Sequence, residues 1–321
     1  MRPRIVIATP ATAAQNNGNW RTAVRWRRML ARDYEVEIID STALQVPACH
    51  LLLALHARRS AQVLRRFRQQ QPRSALALVL TGTDVYRDIH EDAMAAGSVE
   101  LADRLVVLQP DAINQLAPSL RPLATVIFQS APTLVPSERY RGRFDLVQVG
   151  HLRAEKDPFT PISALRLLPA ASRVRLTQIG AALDQNHRDT MAVMLREEPR
   201  LAWTGMLTHA RTRQRIKRAH LLVIASRMEG GAHVIAEAVC SGVPVIASRV
   251  GGNVGMLGED YAGYFPVGDA AACASLMSRA ESDKALFSLL AAQCDARRPL
   301  FGPEREAAAL RRFVAEAITA G

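Results

Sequence analysis

A single rhythm runs through the chain and restricts its fold. A short apolar run is followed by a turn of Gly, Ser, Thr or Asn, then by a longer segment with apolar residues at helical spacing. Repeated alternation of this kind predicts parallel sheets whose strands are joined by crossover helices. Strands are expected at 4–8, 36–39, 51–55, 76–80, 104–108 and 125–128, with helices at 20–31 and 60–70. Between 131 and 143 the rhythm breaks into Pro132, Pro136, Ser137 and charged residues, the best linker in the chain. It then restarts, with strands at 146–149, 174–179, 201–203, 221–225 and 243–247. A closing helix is expected at 303–318, with Pro303 at its start and Glu304 and Glu306 suited to its positive end.

At 321 residues the chain has room for two such units. Boundaries of 1–135 and 136–321 are expected, with the last helix free to pack back on the first unit. No fixed-period repeat of solenoid type is present.

The charge balance raises the question of partners. A formal net charge of +11 suits an anion: nucleic acid, anionic lipid or a phosphate-bearing small molecule. Lys156, Lys217 and Lys284 are the only lysines, and the arginines are scattered along the chain. The denser groups, Arg25, Arg27, Arg28 and Arg65, Arg66, Arg68, fall where solvated helix faces are expected. Nucleic acid is therefore not the expected partner.

Metal and redox chemistry find little support. Cys49, Cys240, Cys273 and Cys294 are far apart and embedded in apolar stretches, as buried free thiols would be. The histidines form no metal-binding pattern, and no Asp-x-Asp triplet offers a nucleotide-bound metal a seat. No metal and no cofactor are expected. No apolar run approaches a membrane span or a signal peptide, so a cytoplasmic protein is expected.

Ligands of open parallel sheets bind beyond the carboxyl ends of the strands. In the first half those ends carry Gln15-Asn16-Asn17-Gly18-Asn19, His56-Ala57-Arg58-Arg59-Ser60 and Thr81-Gly82-Thr83-Asp84. In the second half they carry the 150–156 loop, Gly180, Gly205, the Ser226–Gly231 loop and the 248–253 loop. Gly18 and Asn19 serve either as a helix cap or as an anion seat. The 81–84 turn is either a site or an Asx turn. Arg58 and Arg59, read as the first turn of a helix, oppose its dipole, which a bound anion would explain. Glu229 lies before a helix expected near Ala232, and Glu237 lies inside it. Two carboxylates there suit the hydroxyls of a sugar and a ribose, with Arg153 and Lys156 to neutralise a phosphate.

These residues resemble the retaining glycosyltransferases of family 4, which have the two-domain GT-B fold. The matching stretches are Val149 to Lys156, Ser226 to Gly231 with Glu237-Ala238, and Ser241 to Ser248. The resemblance implies two Rossmann-like doubly wound α/β domains facing across a cleft, the first binding acceptor and the second a nucleotide sugar. It implies Lys156 on the pyrophosphate, Glu237 on the ribose, and Glu229 with Gly230 and Gly231 on the donor sugar. Two positions depart from the family pattern. His151 replaces the basic residue after the first glycine, which passes that role to Arg153, and Thr81 replaces a histidine before Gly82-Thr83-Asp84.

A narrower resemblance, to the selenosugar synthases of selenoneine biosynthesis, spans nearly the whole chain. It rests on 53–60, 80–88, 150–153 with 155–158, and 258–261 with 263–265. That subgroup is implied to join selenophosphate to the sugar of a UDP-hexose such as UDP-N-acetylglucosamine. His233 stands where asparagine is expected there.

The expected catalytic residues are Glu229, Lys156 and Arg153. Donor contacts are expected from His151, Gly180, Gly205, Gly230, Gly231, Ala232, His233, Glu237, Gly252 and Asn253. Acceptor contacts are expected from Gly18, Asn19, Thr22, His56, Arg58, Arg59, Thr81, Gly82, Thr83, Asp84 and Arg87. The alternatives are a family 4 transferase acting on a hydroxyl of a small metabolite or lipid, and a non-catalytic basic module that binds anions.

Overall fold

The computed structural model describes residues 2–11 and 18–320. Gln15, Asn16 and Asn17 lie outside the described residues. The chain divides into two units: one of residues 1–130 and 303–321, the other of residues 131–302.

The first unit holds a parallel sheet of β1 (Arg4–Thr9), β2 (Glu35–Asp40), β3 (Leu51–Leu55), β4 (Ala75–Leu80), β5 (Arg104–Val107) and β6 (Ala124–Val126). Their order is β2-β1-β3-β4-β5-β6, so the winding reverses between β1 and β3. β3 and β4 are buried at every residue because helices cover both faces. Successive side chains of a strand point to opposite faces. Leu52, Ala54, Leu76 and Leu78 therefore join Val63, Leu64 and Phe67 of the helix Ala61–Gln70. Leu51, Leu53, Ala77 and Val79 meet Trp26 of the helix Gly18–Leu30 on the other side.

The chain's last helix, Pro303–Ala320, covers that second face through Leu310, Phe313, Val314 and Ala317. This stripe has the spacing of one helical face. Glu306 anchors the helix from inside. Its carboxylate accepts bonds from Arg25 Nε at 2.9 Å, Trp26 Nε1 at 2.7 Å, and the Ser130 N–H and hydroxyl at 2.8 and 2.5 Å. Glu306 lies in the first turn as expected, and its burial makes it a hub as well.

The second unit holds a parallel sheet of β7 (Phe144–Val149), β8 (Val174–Ile179), β9 (Leu201–Trp203), β10 (Leu221–Ile224), β11 (Val245–Ser248) and β12 (Tyr264–Phe265). Its order is β12-β11-β10-β7-β8-β9, which places the reversal between β7 and β10. β12 has no counterpart in the sequence reading. Two residues are too few for a periodic signal, and Tyr264 and Phe265 are strand only by pairing with Ala247 and Ser248.

The arginine groups expected on solvated faces are partly tied down. Arg25 holds Glu306, Arg66 donates to the Ala43 carbonyl, and Arg68 bonds Asp103. All four cysteines are buried free thiols. Burial pushes the thiols of Cys49 and Cys294 up to about 11.

Candidate active site

Beyond the carboxyl ends of β7 and β10, at the reversal of the second sheet, two loops exchange charges. Lys156 Nζ donates to Glu229 Oε1 at 2.5 Å, and the Ser226 hydroxyl donates to the same oxygen at 2.6 Å. The pair is 73 residues apart in sequence and meets only because β7 and β10 are neighbours. Glu229 is buried and Lys156 half-buried, so the ion pair lies at a sheltered mouth.

Close backbone approaches hold these loops. A Cβ on Gly252 would lie 1.8 Å from the Glu229 carbonyl oxygen, so only glycine lets the 249–253 segment support Glu229. A Cβ on Gly180 would lie 1.9 Å from the Gly150 carbonyl, which presses the turns after β7 and β8 together. His151 contributes to this junction, accepting from the Ala181 N–H at 3.2 Å. Gly180 N–H in turn donates to Gly205 O at 2.9 Å. The Arg153 side chain makes no hydrogen bond or ion pair among the described residues and stays partly exposed beside Lys156.

The other expected donor residues fall into separate places. Gly230, Gly231 and Ala232 connect Glu229 to the helix His233–Val239, which starts one residue later than expected. Glu237 is buried in that helix, bonded to His209 Nε2, with His233 Nδ1 at 3.4 Å. Burial pushes its carboxyl upward, but His209 and His233 outweigh it and hold the group below its ordinary value. The structure therefore gives Glu229 and Glu237 different partners rather than one shared cluster. Asn253 is fully buried, its amide donating inward to the Ser248 carbonyl at 2.9 Å.

In the first unit Asp84 organises the loops after β3 and β4. Its carboxylate accepts from the N–H groups of Thr81 at 2.9 Å, Gly82 at 2.6 Å and Ala57 at 3.1 Å. The expected Asx turn is not formed, because that turn needs the side chain to precede its donors; Asp84 instead reaches back to Thr81 and Gly82 and is occupied by its own loops. It opens a single π-helical turn, Asp84–Asp88. His56 sits beside it at φ 74, in the left-handed region that disfavours a side chain of this size. Its Nε2 lies 3.3 Å from the Thr83 hydroxyl, and burial lowers its pKa against the pull of Asp84.

The arginines after β3 need another account than a helix dipole. Residues 57–60 form a turn and the helix begins at Ala61, so Arg58 and Arg59 precede it. Both are exposed. Arg58 pairs with Asp92 at 2.8 Å, while the Arg59 side chain has no partner among the described residues. Arg87 pairs with Asp88 at 3.1 Å. Gly18 and Asn19 open the helix Gly18–Leu30, and the buried Thr22 hydroxyl donates back to Gly18 O and accepts from Gln129.

Sequence reasoning passed over two buried glutamines, Gln148 and Gln178, that line the hollow below Lys156 and Glu229. A signal existed. Gln148-Val149-Gly150 and Gln178-Ile179-Gly180 repeat one polar residue at the same place in two otherwise apolar strand ends. Among the described residues no group of three or more His, Cys, Asp or Glu is placed to hold a metal. No described helix is long and apolar enough to cross a membrane.

Two parallel six-stranded sheets, each with helices, are the architecture of the GT-B glycosyltransferases. The family model of the glycosyl transferases group 1 matches residues 135–295, half of the chain, and the protein belongs to that family. Solved structures agree on the fold. HepE of Anabaena, in complex with UDP and glucose, is 14% identical with a TM-score of 0.75, each chain covered over 100%. The sucrose-phosphate synthase of Thermosynechococcus elongatus is 17% identical with a TM-score of 0.82, again over 100% of both chains. The pneumococcal O-GlcNAc transferase GtfA, in complex with UDP and GlcNAc, is 18% identical with a TM-score of 0.64. That match covers 84% of this chain and 57% of GtfA. No curated protein matches the chain in sequence.

Proposed function

We propose that the protein transfers the sugar of a UDP-hexose, such as UDP-N-acetylglucosamine, to the selenium of selenophosphate. The anomeric carbon–oxygen bond to UDP breaks, a carbon–selenium bond forms, and UDP leaves with the electron pair. The observation that carries the donor half is the Lys156–Glu229 pair at the reversal of the second sheet. There Lys156 and the unpartnered Arg153 meet a pyrophosphate and stabilise the charge that develops on it. Glu229, released from Lys156, accepts hydroxyls of the sugar. HepE, solved with UDP and glucose, and GtfA, solved with UDP and GlcNAc, support a UDP-linked donor.

The acceptor half rests on the resemblance of nearly the whole chain to selenosugar synthases and on the first unit. Exposed Arg58 and Arg59, at the end of β3, offer charge to a phosphate group. A selenium nucleophile is soft and largely ionised, so it needs little help from a general base. One observation favours a hydroxyl acceptor instead. His56, at the carboxyl end of β3 and 3.3 Å from the Thr83 hydroxyl, is a side chain of the type that takes a proton from a hydroxyl.

Incubating the protein with UDP-N-acetylglucosamine and selenophosphate should release UDP and yield a selenium-bearing sugar detectable by mass spectrometry. Transfer to hydroxyl acceptors with none to selenophosphate overturns the acceptor half. Failure to bind UDP or any UDP-sugar overturns the donor half. Lys156→Ala and Glu229→Ala should each lower turnover about 100-fold or more while circular dichroism stays unchanged.

A further inference from the structure

Gln148 and Gln178 are register partners on the adjacent strands β7 and β8, so their side chains stand side by side on one face of the sheet. Both are buried, 5% and 1% exposed. Neither Oε1 has a hydrogen-bond partner, although buried polar atoms of native proteins nearly always find one. The two amides are not equivalent. Gln178 Nε2 donates to Gly150 O at 2.8 Å and Ile179 O at 3.2 Å, which fixes its orientation and leaves Oε1 as an acceptor. Gln148 makes no side-chain bond among the described residues, so its amide is free to present either end. Both line one hollow with Lys156, Ser226 and Glu229.

We infer that this glutamine pair is a specificity floor that binds one hydroxyl of the donor sugar, an inference that rests on the UDP-sugar reading above. The chemistry of the hollow is graded. Its rim carries the Lys156 cation, and its floor carries an amide oxygen that only a hydrogen-bond donor can satisfy. A pyrophosphate offers acceptors alone and is matched to the rim. A sugar hydroxyl donates its one proton to Gln178 Oε1 and accepts from the amide N–H of the unconstrained Gln148. A nucleotide sugar has this polarity, with an anionic middle and a hydroxyl-rich end. The hollow has space for a group the size of a water molecule, which suits one hydroxyl and not a whole ring.

Gln148 is the cleaner residue to change, because its amide anchors nothing else. Gln148→Met keeps the length of the side chain and removes both polar atoms. Binding of UDP, UDP-glucose and UDP-N-acetylglucosamine to wild type and variant, measured by calorimetry, separates the contributions. Affinity for UDP should stay within about twofold. Affinity for at least one UDP-sugar should fall about tenfold, the usual effect of one lost hydrogen bond. The melting temperature should be unchanged or higher, since an unpaired buried amide gives way to an apolar group. Equal changes for UDP and both UDP-sugars, or no change for any of them, overturn the inference. That includes a hollow filled by water alone, where all three affinities stay as they were. Absence of UDP and UDP-sugar binding to the wild-type protein refutes the underlying reading instead.

Discussion

The two units use the same device, Gly-rich and polar turns at the carboxyl ends of parallel strands, but leave it in opposite states. In the first unit the buried Asp84 and His56 of the turns after β3 and β4 are satisfied by those turns, while the exposed Arg59 side chain is left open. Asp84 takes up the N–H groups of Thr81, Gly82 and Ala57, and His56 lies against Thr83. In the second unit the turns after β7, β8 and β10 are drawn together by glycines, and polar groups remain open. Among the described residues the Arg153 side chain has no partner, and the side-chain oxygens of Gln148 and Gln178 are unpaired. A loop that consumes its own polar groups is a rigid frame. One that is held by backbone contact keeps side chains available for a ligand.

The sharpest way to break this contrast is to remove a glycine contact. Gly252→Ala places a methyl group 1.8 Å from the Glu229 carbonyl, a backbone atom with nowhere to retreat. It should cost about 3 kcal/mol in unfolding by urea, the upper range for overpacking. UDP affinity should fall with it. Gly205→Ala is the comparison: its Cβ meets nothing, and φ of +66 alone should cost about 1 kcal/mol. Equal costs for the two would mean that the close approach at Glu229 is unimportant.

Asp84→Ala tests the frame of the first unit. Three backbone N–H groups lose their acceptor, and the loss should be about 2–3 kcal/mol, tempered by water reaching the loosened turn. Asp84→Asn keeps one oxygen and should lose less. If the UDP affinity proposed for the second unit falls as much as stability, the division between frame and ligand loops fails.

The smallest effect concerns pH. His56 is neutral when folded because burial lowers its pKa, whereas the unfolded chain titrates near 6.5. Below about pH 6.5 the unfolded state binds a proton that the folded state refuses. Stability from this group is therefore complete above that pH and declines as pH falls toward the lowered value. His56→Asn removes the titration and suits the left-handed backbone. Its stability relative to wild type should rise as pH falls from 7 to 5. A constant difference across that range would show that His56 is not held neutral.

Much of the fold was legible because parallel strands buried on both faces must be apolar, as Leu51 to Leu55 and Ala75 to Leu80 are. The Pro303 helix was expected, with the option of packing back on the first unit, but not which of its residues, Leu310 and Phe313 among them, would meet that sheet. Glu229 and Lys156 were picked out by residue type and by resemblance, but their contact was not. Arg58 and Arg59 misled because a turn before a helix and its first turn look alike in sequence.

Periodicity by itself determined the class of fold, the alternation of elements and the strand ends where polar residues collect, since these depend on neighbours along the chain. Tertiary structure alone decided which strand ends meet. Strand order set Lys156 against Glu229, and register set Gln148 beside Gln178. Both are choices among sheet pairings separated by tens of residues. The residues concerned carry no local mark of their partner, because the hydrogen bonds that pair parallel strands are the same for every sequence.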